Sequence, residues 1–515
     1  MAKYKPYSYT QGQFVPVFFN KQIQPGTFEY TLNYLVDHEL DLAIFDDRFR
    51  NDITGAPAYD PRILLKVILF AYSRGITSSR KMAKCCEENI VFMALSAGSK
   101  PHFTTIADFI SSRNTEVIHL FLQVLMVCDH QQLIGKKMFA IDGCKLPSNA
   151  SKEWSGTKAD FEKKIEKMET AIKRMVEKHC AQDQAPTEVA EETKETQYIE
   201  KLQKNVAKIK KWLGENDDRK GYNGKPIKSN ITDNESAKMK TSKGVIQGYV
   251  GVASVDQKNQ VIVNAEAFGQ GQEHDLLVPA IESIRQNFEA IGQKGDVFEN
   301  TKLTADSGYH SEKNMEMIFS ENIDAYIADP NFRKRDPRFA SAERYKELQR
   351  EKAGKNVGGK MFTTADFTFP EDFSYCVCPA GQRLYRSGYQ VTVKNSKAIK
   401  FKGPKSACLP CKLRARCLRK PEITEIRQVA YFTGKSSTGE QRFTEKMKQK
   451  IDSVAGRAIY GMRLAVGEPP FAHIRSALGL NRFTVRGKKK VNTQWNLFCI
   501  VHNLKKICSF GIGFA

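Results

Sequence analysis

The chain has 515 residues, 41% of them hydrophobic, which is more than one ordinary core needs and enough for roughly two to four packed domains. Lys and Arg number 80 and Asp and Glu 58, so the net charge is +22. This composition excludes a wholly disordered chain. The positive surplus favours a polyanionic partner, most often nucleic acid; the alternative is a basic protein that its charge keeps soluble.

The sequence shows neither a membrane span nor a secretory signal. No apolar run approaches the ~20 residues that a span needs. The first residues, MAKYKPYSYTQGQFVPVFF, lack an apolar core and a small-residue cleavage site. We therefore expect a cytoplasmic protein with no membrane partner, whose 12 cysteines are reduced thiols or metal ligands.

Residues 1–130 predict an N-terminal helical domain. The stretch PRILLKVILFAYSRGITSSRKM has helical spacing up to Gly75, and Ser78 or Ser79 could cap the next helix. Another helix is predicted near Thr104. Short helices joined by tight turns fit a helix-turn-helix DNA-binding module, and they fit a small helical bundle without a DNA role equally well.

Five strands are predicted beyond residue 130, from apolar runs that are continuous or alternate with polar residues. They are Lys137–Leu146, Gln247–Asp256, Gln260–Gly269, Lys302–Asp306 and Ala325–Ala328. Helices are predicted at Glu273–Ile291 and Glu312–Phe319. The order of strand, hairpin, helix, strand, helix, strand is that of a ribonuclease H-like core, an α/β fold with a mixed five-stranded sheet and helices on its faces.

Two segments interrupt this core. Residues 151–220 carry Phe161, Ile165 and Met168 at three- and four-residue steps and predict a helical hairpin or short coiled coil. A later segment combines short strand-like pieces with cysteines and predicts a β-rich insertion. The predicted domains are the helical domain at 1–130, the first part of the core at 131–332, the β-rich insertion at 333–442, and C-terminal helices that complete the core at 443–515.

Acidic residues lie at the ends of the first and fourth predicted strands, which are neighbours in this topology. Asp142 and Asp306 could share a metal ion there, although each could instead only begin a turn. Phosphodiester chemistry commonly uses two divalent ions roughly 4 Å apart, and Mg²⁺ prefers carboxylate oxygens and water. Two acids at adjacent strand ends of a basic protein favour the metal site.

Three motifs resemble those of DDE transposases from bacterial insertion sequences. FAIDGCKL and LTADSGYHSEKN, around Asp142 and Asp306, resemble the first two acidic motifs. YGMRLAVGEPPFAHIR resembles the Tyr-Arg-Glu-Lys signature that holds the last acid, here Glu468, with Arg475 where the signature has Lys. The resemblance extends over nearly the whole chain. The two prolines after Glu468 are a departure, and they predict that this acid stands at a helix start.

The resemblance implies a catalytic triad of Asp142, Asp306 and Glu468 that binds Mg²⁺ or Mn²⁺. Competing third acids are Glu440, Glu445 and Asp452, whose pattern is more typical of a solvated helix face. Guanidinium groups suit phosphate oxygens, and basic clusters supply contacts to the DNA backbone. The candidate DNA-binding residues are Tyr460, Arg463, Arg475, Arg482, Arg486 and Lys488.

A separate pattern, C-x29-C-x2-C-x5-C, joins Cys378, Cys408, Cys411 and Cys417, with Cys376 as an alternate ligand. Four thiolates suit a structural zinc ion, as in a zinc ribbon. The alternative is a set of reduced, metal-free cysteines, since only one C-x2-C pair is present.

The sequence thus predicts a transposase that cuts double-stranded DNA at terminal inverted repeats and joins the freed 3′ ends to target DNA, acting as a homodimer. One alternative is a related nuclease without strand transfer. Another is a domesticated, inactive DNA-binding protein, against which the presence of all three acids argues.

Overall fold

The computed structural model describes residues 16–48, 57–182, 189–220, 226–241, 244–339, 341, 361–393, 396–434 and 442–513. The chain divides into two compact units, one formed by Met1–Pro330 with Met447–Ala515 and the other by Asn331–Lys446. The fold is mixed α/β. In the described ranges, no helix is both long enough and apolar enough to cross a membrane.

Helices account for most of the first unit. Those before the second unit are α1 Phe28–Tyr34, α2 Pro61–Ser73, α3 Ser79–Glu88, α4 Ile90–Leu95, α5 Phe103–Ser112, α6 Asn114–His130, α7 Lys158–Gln182, α8 Val189–Glu215, α9 Leu277–Ala290 and α10 Glu312–Ser320. Short helices of the second unit are α11 Phe332–Arg335, α12 Lys405–Cys408 and α13 Arg414–Cys417. The chain ends with α14 Phe443–Asp452, α15 Val454–Ala472 and α16 Lys488–Phe510.

The N-terminal helices begin and end where the sequence places caps. Pro61 opens α2, and the side chain of Asp60 accepts a hydrogen bond from the N–H of Arg62 at 2.8 Å. Gly75, just beyond the end of α2, has a φ of +73°, which suits glycine. Ser78 is the N-cap of α3. The helices predicted here are confirmed, and their role in DNA binding stays a prediction.

The sheet of the first unit holds the two aspartates. The strands of this unit, in chain order, are β1 Met138–Pro147, β2 Ser155–Gly156, β3 Arg219–Lys220, β4 Pro226–Ile227, β5 Ser229–Asn230, β6 Ala237–Thr241, β7 Gly244–Asp256, β8 Ile262–Phe268, β9 Lys302–Ala305 and β10 Ala325–Ile327. Strand β2 pairs with β5, and β3 pairs with β4, as two small ribbons outside the main sheet. The main sheet has the order β10-β9-β1-β7-β6, and β8 also pairs with β7. Strands β1, β9 and β10 are parallel, and β7 is antiparallel to β1, β6 and β8.

All five predicted strands are confirmed, as β1, β7, β8, β9 and β10. The sequence missed β6, whose five residues, AKMKT, include two lysines. Strand β6 pairs only with the first part of β7, as an edge strand. Charged residues on a short edge strand discourage pairing with other chains, and they also hide the apolar pattern from which strands are predicted.

Helix α16 is buried around much of its circumference. Trp495 packs on Gly251 of β7, where a Cβ would come 3.0 Å from the indole ring, and its Nε1 donates to the carbonyl of Val252 at 3.0 Å. The side-chain amide of Asn503 pairs with both the N–H and the carbonyl of Ile262, each at 2.8 Å. Because α16 also packs against α2, α5 and α6, the N-terminal helices and the sheet share one core.

Helix α15 runs straight through Pro469 and Pro470, so the expected helix start at Glu468 is wrong. A proline inside a helix has no N–H for the carbonyl four residues earlier. For Pro469 that carbonyl belongs to Ala465, and it accepts a hydrogen bond from Nε2 of Gln260 at 2.9 Å instead. The helix then widens into a π-helical turn. A donor from another element thus lets the helix continue.

Helices α7 and α8 pack on each other as the predicted hairpin, around a small core of Phe161, Ile165, Val206, Ile209 and Trp212. The second unit contains an antiparallel sheet in the order β11 Tyr375–Val377, β12 Arg383–Val393, β13 Ser396–Lys402 and β14 Gln428–Gly434. Its own core consists of Phe367, Cys376, Leu384, Ile399, Phe401 and Val429. This is the cysteine-containing β-rich segment that the sequence predicts.

Candidate active site

Asp142 and Asp306 stand side by side on two neighbouring parallel strands. Ile141 of β1 is the register partner of Ala305 of β9, so an aspartate follows at the same level in each chain segment. Their side chains are 20% and 41% exposed. The sheet therefore brings the two acids together, but the predicted strand end at Asp142 is wrong, because β1 continues to Pro147 through its pairing with β7, whereas Asp306 does follow the end of β9.

Arg463, on α15, forms an ion pair with each of the two carboxylates. Its Nη1 lies 3.1 Å from Oδ2 of Asp142, and its Nη2 lies 3.4 Å from Oδ1 of Asp306. The guanidinium carbon also lies 5.7 Å from the centroid of the Tyr460 ring. The arginine side chain is only 6% exposed, and a buried cation between two carboxylates offsets their repulsion. Its partners here are acids, whereas the sequence analysis assigns it to DNA phosphate.

Burial raises the pKa of Asp142 to about 6. Arg463 lowers it, as does the N–H of Gly143, which donates to Oδ1 of Asp142 at 2.8 Å. The nearby carboxylates of Asp306 and Glu273 raise it further. Loss of hydration therefore outweighs the arginine, and the charge on Asp142 at neutral pH costs folding free energy.

Glu273, just before α9, is a further acid of this site that the sequence analysis missed. Its Oε1 lies 3.1 Å from Nζ of Lys145, and a Cβ at Gly308 would come 2.6 Å from its Oε2. Burial, and then the charge of Glu273, raise the pKa of the Tyr309 hydroxyl well above its usual range. Within the described residues this hydroxyl has no hydrogen-bond partner. Glu273 belongs to no sequence motif, and only tertiary packing brings it near Asp142.

Glu468 lies next to the aspartates in the fold without contacting them. Its neighbour Gly467 is buried, and a Cβ there would lie 3.7 Å from Cβ of Asp142 and 3.8 Å from its Oδ2. Glu468 itself is exposed. No hydrogen bond or ion pair joins it to another residue in the described part of the chain. Of the predicted triad, the structure brings Asp142 and Asp306 together. Glu468 is exposed to solvent, and its neighbour in the sequence, Gly467, packs against Asp142.

Two of the basic candidates hold the loop that follows β1. Nη2 of Arg482 donates to the carbonyl of Ser148 at 3.2 Å, and Nε of Arg486 donates to the carbonyl of Asn149 at 2.7 Å. Both arginines are exposed. N–H groups not used in these bonds could donate to a phosphate near the strand that carries Asp142.

The other candidates are arranged differently. Lys488 begins α16 and its Nζ lies 3.2 Å from Oε1 of Glu266, so its charge is already paired. Arg475 is exposed on the π-helical turn after α15. Tyr460 is half-buried beside Arg463. Of the competing third acids, Glu445 and Asp452 lie on α14, and Glu440 lies outside the described residues.

The four cysteines of the second unit line one cavity, whereas Cys376 lies in the core of its sheet. Over the described ranges, no three side chains of His, Cys, Asp or Glu are closed around a common point as a finished metal site. This holds for the cysteines and for the acids beside Arg463. A metal ion bound at either place would therefore have to bring its ligands closer together than they lie in this structure.

Two family models match the chain. The one described as "Transposase DDE domain" covers residues 377–508, which include Arg463 and Glu468. The one described as "Transposase domain (DUF772)" covers residues 17–112, from before α1 to the end of α5. A comparison with curated proteins finds no match. The two family matches, to separate parts of the chain, support a DDE transposase of an insertion element.

Proposed function

We propose that this transposase cuts and joins DNA with Asp142, Asp306 and Glu468 on a ribonuclease H-like core. The observation that carries the proposal is the pair of aspartates on adjacent parallel strands, Asp142 within β1 and Asp306 just after β9, held by one arginine from the helix that also carries Glu468. The strand order supports the core assignment, since an antiparallel hairpin flanks β1 on one side and two parallel strands flank it on the other.

The donor set suits a hard divalent cation. Carboxylate oxygens are the preferred protein ligands of Mg²⁺ and Mn²⁺, and Asp142 and Asp306 present theirs from adjacent strands. These two aspartates and Glu468 would hold the ion. When bound, the metal supplies Lewis acidity to the attacking and leaving oxygens of the phosphodiester. It would also take over the charge balance that Arg463 provides.

Arg463 would then have two roles in this site. Without metal it neutralises the two aspartates at 3.1 and 3.4 Å. If a metal ion took its place at the carboxylates, the guanidinium would be able to contact the phosphate that the resemblance assigns to it. The ring of Tyr460 lies beside the guanidinium, with its centroid 5.7 Å from the guanidinium carbon. In this proposal, metal binding at the two aspartates therefore releases Arg463 for contact with DNA.

The exposed arginines after α15 complete the proposed DNA surface. Arg482 and Arg486 order the loop after β1 through its carbonyls, and both residues are exposed. Arg475 is exposed nearby in the chain, and Lys488 would exchange Glu266 for phosphate. Such contacts position DNA without reading its sequence. We assign sequence reading at the inverted repeats to the N-terminal helices, and pairing of two ends to a homodimer.

The reaction we propose has two steps at one site. Water attacks the phosphodiester at the element end, the bond to the 3′ oxygen breaks, and a free 3′ hydroxyl results. That hydroxyl then attacks a phosphodiester of target DNA, and the displaced 3′ oxygen leaves. A nuclease without strand transfer would perform only the first step, and an inactive DNA-binding descendant neither.

The test is a cleavage and strand-transfer assay on inverted-repeat DNA with Mg²⁺ or Mn²⁺. Asp142→Asn, Asp306→Asn and Glu468→Gln should each lower both products at least a hundredfold while DNA binding is retained. Glu282→Gln, an exposed acid on α9, is the matched control and should change neither product. Full activity in Glu468→Gln would remove this residue from the triad. Cleavage without joined product would favour the nuclease.

A further inference from the structure

Four thiols from three separate segments of the second unit line one small cavity. They are Cys378, just after β11; Cys408, at the end of α12; Cys411, three residues beyond Cys408; and Cys417, at the end of α13. The cavity has a volume of about 30 Å³. A water molecule needs about 10–15 Å³ of such space, so the cavity has room for a metal ion.

The backbone around Cys378 and Cys408 is shaped to aim their thiols inward. The N–H of Cys378 donates to the carbonyl of Gln382 at 2.9 Å, and the N–H of Gly381 donates back to the carbonyl of Cys378 at 2.8 Å. Gly381 has a φ of +75°, which closes this tight turn. On the other side, a Cβ at Gly403 would lie 2.5 Å from Sγ of Cys408, so only glycine leaves room for that thiol.

Two arginines frame the cavity and fix its loops. Arg414 donates to the carbonyls of Cys408 and Thr424 at 2.9 and 2.7 Å, which ties the turn carrying the C-x2-C pair to the segment before β14. Arg427 donates to the carbonyl of Cys417 at 2.8 Å, and its Nε is buried with no hydrogen-bond partner among the described residues. A thiolate sulfur nearby would accept from that Nε.

Cys376 and Cys378 are close in the sequence, but of these two only Cys378 lines the cavity. Cys376 differs, because it is fully buried in the apolar core of the sheet. The geometry therefore separates Cys378 from its neighbour Cys376, a choice that the sequence leaves open.

We propose that Cys378, Cys408, Cys411 and Cys417 bind one structural Zn²⁺ ion that stabilises the second unit. Tetrahedral coordination by four thiolates leaves no open position for substrate, so the ion has no part in catalysis. The four thiols release their protons to solvent on binding, and the resulting anionic complex lies beside Arg414 and Arg427. Because the thiols do not yet meet at a common point, binding tightens the loops that carry them.

The full-length protein, produced with zinc in the medium, is assayed for metal content after gel filtration. We expect one zinc per chain and, after exchange for Co²⁺, the visible absorption of a tetrahedral thiolate site. Cys411→Ser should lower the zinc content at least tenfold, and Cys411→His, which keeps a ligand, should restore most of it. Cys85→Ser, a thiol of the first unit, is the matched control and should bind zinc like the parent protein.

Folding of each variant is checked by circular dichroism and by the elution volume. If Cys411→Ser does not fold, the parent protein and Cys411→His still decide the question. Folded parent protein without bound zinc would overturn the proposal. Equal zinc content in folded Cys411→Ser and parent protein would overturn the ligand assignment. These outcomes do not depend on DNA cleavage, so they are distinct from a failure of the proposed catalytic triad.

Discussion

Replacing Asp142 with Asn should stabilise the metal-free protein at neutral pH. Burial raises the pKa of Asp142 from 3.8 to about 6 despite the contact with Arg463. A tenfold change in proton affinity corresponds to about 1.4 kcal/mol, so the shift is worth roughly 3 kcal/mol. The folded state keeps this proton to a higher pH than the unfolded chain does. The contribution of Asp142 to stability therefore falls between about pH 4 and pH 6 and stays low above.

Asn cannot ionise and escapes this cost. At pH 7.5 in EDTA, Asp142→Asn should raise the free energy of unfolding by up to about 3 kcal/mol, and at pH 4 the two proteins should be nearly equal. The first unit has roughly 400 residues, for which the entropy of unfolding is about 0.8 kcal/mol per kelvin. The melting temperature at pH 7.5 should then rise by about 4 °C, as measured by differential scanning calorimetry.

Glu468→Gln serves as the control, because its side chain is exposed. It should leave the melting temperature unchanged at both pH values, although we expect both variants to lose cleavage. A lower stability of Asp142→Asn at pH 7.5 would refute the reasoning, since the arginine contact would then outweigh the loss of hydration. An equal gain at pH 4 and pH 7.5 would show that the effect does not come from ionisation.

Three further predictions concern neighbouring contacts. Arg463→Met should lower the free energy of unfolding at pH 8 by about 3 kcal/mol or more, and by less at pH 5, because it leaves two carboxylates without their shared cation; urea unfolding in EDTA at both pH values measures this. Glu273→Gln removes a negative charge that raises the pKa of Asp142, so the pH at which stability falls should move lower in the same titration. Gly251→Ala places a Cβ 3.0 Å from the ring of Trp495 and should cost about 1–3 kcal/mol, with a change in tryptophan fluorescence.

The parts of the fold that follow local patterns are predictable from the sequence. Strands β1 and β9 are apolar runs that carry Asp142 within β1 and Asp306 just after β9, and the order of the elements along the chain predicts that these strands are neighbours. The hairpin of α7 and α8 follows from apolar side chains at helical spacing. In these cases the information lies within a few residues of the element itself.

Other features depend on partners from distant parts of the chain. The sequence places a helix start beside Pro469, but Gln260 satisfies the carbonyl that this proline leaves free, so the helix continues. Glu273 joins the acidic site from a polar segment without any motif. Arg463 is visible in the sequence as a motif residue, but its contact with both aspartates depends on how α15 packs on the sheet.

Helix α16 has a consequence for biosynthesis. It packs against α2, α5 and α6, and the rings of Tyr72 and Phe498 stack with centroids 4.1 Å apart. A ribosome completes the N-terminal helices several hundred residues before it reaches α16. The apolar surfaces that these helices pack against α16 therefore stay uncovered until almost the whole chain has been synthesised. The first unit must then acquire its core after translation is nearly finished. Nascent chains that stall before α16 would expose this apolar surface, and we expect chaperones and proteases to bind them.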